Sequence, residues 1–140
     1  MTKLSEQKLE ELYKFKYSPL YFIRKVWGLE PQPLICQESH EHKLNCFGAF
    51  EKGKHLTWQQ YLILKAIEEK LEAKEPVRIS IFSGHGTGKS STMAILIHWY
   101  LFTRRDANIG CTSPTSDQLY DVLWKELEIW RQKLPLGIKE

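Results

Sequence analysis

The segment Ser83-Gly84-His85-Gly86-Thr87-Gly88-Lys89-Ser90 brings glycines, a lysine and a hydroxyl together in a spacing that can hold phosphate. Small residues let the backbone curl its N–H groups inward around an anion, and a following helix N-terminus adds partial positive charge. In such a loop Lys89 reaches the β- and γ-phosphates of a nucleotide, and the Ser90 hydroxyl coordinates Mg²⁺. ATP and Mg²⁺ are therefore the expected ligands. Gly84, His85, Gly86, Thr87, Gly88, Lys89, Ser90 and Ser91 are the expected contacts, with Lys89 as the catalytic cation and Ser90 as the metal ligand. The strict pattern has glycine at its first position, where this chain has Ser83.

Other residues add weaker signals. Gln59 and Gln60 precede the loop, and a carboxamide pairs a donor with an acceptor in the way that matches N6 and N7 of adenine. Thr57 and Gln60 have capping-box spacing, which occupies Gln60 and leaves Gln59 as the adenine reader. Cys36, His40, His42 and Cys46 are zinc-type ligands, but their spacing matches no common finger. Two reduced thiols and two surface histidines are the simpler reading. His85 suits an exposed turn, and His98, inside an apolar run, suits a hydrogen-bonded core histidine.

Thr115 and Gln118 follow a second β-prone run. Loops at the carboxyl ends of parallel strands face the ligand crevice, so either residue could couple the nucleotide to a second substrate. A capped turn is the simpler reading of both. No apolar strand ending in an acidic pair follows the phosphate loop, and such a carboxylate normally holds Mg²⁺ and orients the attacking water. Glu126 and Glu128 are expected to face solvent on the last helix. Poor or absent hydrolysis by this chain alone is the expectation.

The elements that would position these groups are legible from periodicity. Leu4, Leu9, Leu12 and Phe15 predict an amphipathic helix over 4–15. Ser18-Pro19 reads as an N-cap followed by proline at the first helical position, with Leu20, Ile23 and Trp27 on one face and Gly28 as the stop. Residues 30–54 show no regular pattern. Thr57 begins a helix that turns Tyr61, Leu64, Ile67 and Leu71 inward, with Leu56 and Tyr61 as a hydrophobic staple, and that ends before Pro76.

From Val77 onward the predicted order is strand (77–82), helix (91–102), strand (108–112), helix. Ser116 caps the last helix, whose stripe is Leu119, Leu123, Leu127, Trp130 and Leu134. That order predicts an α/β fold, an incomplete P-loop NTPase with a parallel sheet flanked by helices, behind an α-helical lead-in. The expected boundaries are a lead-in over 1–56 and the N-terminal half of an ATPase domain over 57–140. Two strands alone do not complete a parallel sheet.

The 140 residues are 42% hydrophobic and 26% charged, which suits one globular domain and excludes a disordered chain. The net charge of +3 permits contact with nucleic acid without arguing for it. The longest apolar run, 93–102, is too short to span a bilayer, so no membrane association is expected. Three cysteines without a secretory signal suit reduced thiols in a cytoplasm.

Three stretches together resemble the large subunit of a tailed-bacteriophage or prophage terminase. They are Gly53-Lys54-His55-Leu56-Thr57-Trp58-Gln59-Gln60, the loop over 83–90, and Cys111-Thr112-Ser113-Pro114-Thr115-Ser116-Asp117-Gln118. Pro19-Leu20-Tyr21-Phe22 and Trp27-Gly28 also resemble that family's lead-in, and the likeness is strongest over 50–134. The resemblance implies the ATP-binding portion of a motor that packages double-stranded DNA into an empty capsid in the host cytoplasm. It implies a homo-oligomeric ring, a terminase small subunit and the portal and capsid as partners. The family's acidic strand, coupling motif and C-terminal nuclease have no counterpart in this sequence, so nuclease activity is not carried over. Two other readings share the early motifs: a helicase-like DNA-dependent ATPase, and a non-catalytic nucleotide-binding module or prophage remnant.

Overall fold

Ser18 alone separates the first two helices, α1 (Lys3–Tyr17) and α2 (Pro19–Trp27). Its extended backbone lets the Oγ accept the Tyr21 N–H at 3.1 Å, while Pro19 takes the first helical position, where no N–H is needed. Glu68, from the third helix, reaches the same point. Its Oε1 accepts the Ser18 hydroxyl and, at 3.3 Å, the Leu20 N–H. The positive end of α2 thus accounts for a carboxylate that is only 8% exposed. α2 stops at Gly28, which adopts φ 68° and returns its N–H to the Arg24 carbonyl.

The computed structural model describes residues 3–29, 56–82, 84 and 88–135. Helix α3 (Trp58–Glu72) begins with the expected capping box. The Gln60 N–H donates to Thr57 Oγ1 at 3.2 Å, and the Thr57 N–H donates to Gln60 Oε1 at 3.1 Å. Helix α4 (Lys89–Thr103) packs against α1, α2 and the C-terminal helix. Ile23, Leu64 and Ile95 meet at full burial from α2, α3 and α4, with Leu20, Leu29 and Leu56 around them. Each such side chain contributes about 1.5–3 kcal/mol by leaving water. A second cluster joins Phe22, Ile67 and Trp99, and Trp27 and Leu96 pack against both.

The C-terminal helical run is continuous. It comprises α5 (Ser116–Gln118), a π-helical stretch (Leu119–Trp124) and α6 (Lys125–Gln132). Thr115, not Ser116, is its N-cap, accepting the Gln118 N–H at 3.3 Å. Two side chains dock it on the core: Trp27 Nε1 donates to the Trp130 carbonyl at 3.1 Å, and His98 Nε2 donates to the Leu127 carbonyl at 2.9 Å. His98 is the hydrogen-bonded core histidine expected.

The expected α/β architecture is not what forms. The described residues are helical and contain no strand or sheet. The runs 77–82 and 108–112 have no regular secondary structure and no backbone ladder. Val77 is 40% exposed and Phe82 96%. Val77 and Ile109 line one cavity of about 450 Å³ together with Ile67, Leu71, Leu96 and Ile97 from α3 and α4. The physical reason is that β-propensity is realised through cross-strand neighbours, and parallel strands need cover on both faces. Among the described residues these two runs have helices on one side and no further strand.

Helix α1 forms where the sequence predicts it. Leu9 and Leu12 are exposed, because α1 is held at its C-terminal end, where Trp99 Nε1 donates to the Phe15 carbonyl and Arg104 Nη2 to the Lys16 carbonyl. Leu4's side chain lies outside the described residues. Among those residues no helix is long and apolar enough to cross a membrane.

Candidate functional site

Gly88 is the N-cap of α4 and the last residue of the glycine-rich segment. Its φ of 83° lies in the left-handed region that glycine enters without a Cβ penalty. Space sets a second requirement. A Cβ there would come within 2.7 Å of Gln60 Nε2. That nitrogen instead donates to the Gly88 carbonyl at 3.3 Å. Thr92, fully buried, gives the same carbonyl its N–H at 3.0 Å and its hydroxyl at 2.8 Å. Three donors thus hold the junction of loop and helix.

A glycine cap has no side chain, so the amides at the start of α4 receive no side-chain hydrogen bond from their own N-cap. Lys89 and Ser90 are the first two helical residues, both half-buried, and the first turn carries no acidic residue. A helix dipole, a cation and a hydroxyl at one helix start form an arrangement that suits phosphate. Among the described residues no group of three or more His, Cys, Asp and Glu is placed to hold a metal ion. Gly84 is exposed with open space around it. Ser83, His85, Gly86 and Thr87 lie outside the described residues, as do Cys36, His40, His42 and Cys46.

Comparison of the chain with family models, curated proteins and solved structures gives no match.

The glutamines divide as their spacing suggests. Gln60 uses its amide oxygen on Thr57 and its amide nitrogen on Gly88, so both ends are committed to structure. Gln59 is half-buried beside it on the first turn of α3. Thr115 and Gln118 form a capped turn: Thr115 caps the helix, and Ser113 Oγ donates to Gln118 Oε1 at 3.2 Å. Both are exposed.

Two acidic residues of the last helix part company. Glu128 is exposed, as expected, and takes Arg131 Nε and Nη2 at 2.7 Å each and Gln132 Nε2 at 3.1 Å. The Arg131 hydrogen bonds, aided by Gln132, pull its carboxyl down to about 2. Glu126 is less exposed than expected. It is half-buried, and its Oε2 accepts the Ser91 hydroxyl at 2.9 Å. This carboxylate therefore stands at the first turn of α4. Sequence reasoning missed it, because a separation of 35 positions between Ser91 and Glu126 leaves no local signal.

Proposed function

We propose that residues 84–91 bind the phosphates of Mg-ATP and that the chain is the ATP-binding portion of a terminase-like DNA-packaging motor. The observation that carries the first half is the junction at Gly88. A left-handed glycine, fixed by Gln60 and Thr92, delivers Lys89 and Ser90 to the start of a long helix. Lys89 would neutralise the β- and γ-phosphates, Ser90 would hold Mg²⁺, and Gln59 would read adenine. The second half rests on the resemblance of the three motif stretches, with double-stranded DNA, small subunit, portal and capsid as the partners it implies.

The test is Mg-ATP binding by isothermal titration calorimetry. Wild-type chain binds, and Lys89→Ala loses the signal with its helical content unchanged by circular dichroism. Equal binding by both proteins overturns the proposal. Stimulation of hydrolysis by double-stranded DNA, in a longer protein carrying this segment, tests the motor assignment separately.

A further inference from the structure

The hydrogen bond between Ser91 and Glu126 has a consequence for the site just proposed, and the inference rests on that proposal. A serine hydroxyl has one proton to donate. In the structure that proton goes to Glu126 Oε2 at 2.9 Å. Ser91 lies in the first turn of α4, directly after Lys89 and Ser90, where a bound nucleotide would place phosphate oxygens. Ser91 can therefore satisfy the Glu126 carboxylate or a phosphate, but not both.

Charge acts in the same direction. The N-terminal turn of α4 favours one negative group, and its own residues supply none. Glu126 supplies it from α6. A polyphosphate arriving at the same turn would repel that carboxylate and take over its hydrogen bond. We infer that Glu126 is a nucleotide-displaced latch: it occupies the start of α4 when no nucleotide is bound, and phosphate binding releases α6 from Ser91. Binding energy would then reach the run that contains the 113–118 turn through a contact that is made or broken. α6 stays tethered to α4 by the His98–Leu127 hydrogen bond, so release means loosening and not detachment.

Titration calorimetry on wild type, Glu126→Gln, Ser91→Ala and the double variant tests the latch, with Lys89→Ala as control. Removing the competing charge should tighten Mg-ATP binding by about two- to five-fold, the range of a charge at a helix N-terminus. That gain should shrink when Ser91 is also alanine, leaving only the part due to charge. Hydrogen exchange of wild-type residues 125–132, with and without Mg-ATP, gives a readout that needs no variant: nucleotide should speed exchange there.

Lys89-dependent binding that Glu126→Gln leaves unchanged overturns the latch and spares the phosphate site. Weaker binding of Mg-ATP than of metal-free ATP by Glu126→Gln makes the carboxylate a metal partner and also overturns it. Absence of nucleotide binding in both wild type and Glu126→Gln removes the site and the latch together. Binding that appears only in Glu126→Gln supports both.

Discussion

The side-chain amide of Gln60 spans from the Thr57 N–H to the Gly88 carbonyl, so a single residue closes the cap of α3 and holds the start of α4. The approach is close enough to exclude a methyl group at Gly88. Gly88→Ala should therefore suffer twice. The left-handed backbone alone costs about 1–2 kcal/mol for a residue with a Cβ, and the clash with Gln60 adds to it. Urea unfolding should show a loss above that range, falling back into it when Gln60 is also alanine. Equal losses in the two backgrounds would remove Gln60 from the account.

Gln59 and Gln60 should separate cleanly. Gln59→Ala leaves the capping box intact, so its unfolding midpoint should fall less than that of Gln60→Ala. Its preference for ATP over GTP should shrink by about two- to ten-fold, the worth of one hydrogen bond. Gln60→Ala should instead lower stability by about 1 kcal/mol through the lost cap. Affinities for both nucleotides, measured beside urea curves, decide it. A change of ATP preference confined to Gln60→Ala would reverse the assignment.

Ser18 tests whether Glu68 belongs to the α2 cap. An isolated N-cap accepts aspartate as readily as serine. Here the Ser18 hydroxyl donates to Glu68 as well as accepting from Tyr21. Ser18→Ala should cost about 1–3 kcal/mol, since a buried carboxylate loses a donor. Ser18→Asp should cost more than Ser18→Ala, because it sets a second carboxylate against Glu68. Thermal melts that rank aspartate above alanine would show that Glu68 is not part of the cap.

Glu128 offers a pH test with a defined sign. Its carboxyl is lowered from 4.5 to about 2 in the folded chain. Its contribution to stability is thus fully present above about 4.5 and fades as pH falls toward 2. Carbon-detected NMR of the Glu128 carboxyl should find a midpoint near 2. Arg131→Leu should move it up toward the ordinary carboxylate range. An unmoved midpoint would mean that Arg131 is not the cause.

Local chemistry made the caps readable. Ser18 with Pro19, Gly28, and Thr57 with Gln60 each complete a motif within a few residues, and the structure contains all of them. Burial of Leu20, Ile23, Leu64 and Ile67 follows the helical period and was equally plain. The runs 77–82 and 108–112 have strand composition but form no strand, because pairing depends on residues far away in sequence and composition cannot supply a partner. The exposure of Leu9 and Leu12 has a related cause: an apolar stripe marks a face able to be buried, but what covers it lies elsewhere. The Ser91–Glu126 contact belongs to the same nonlocal class.

The π-helical stretch Leu119–Trp124 sets the angular register of α6. Hydrogen bonds there close one residue further along than in an α-helix. Each residue of an α-helix turns the chain by about 100°. Winding one π turn back to α would screw everything downstream around the axis by about that angle, carrying Glu126 off the side that meets Ser91. One π turn therefore decides which side of α6 is offered to the first turn of α4.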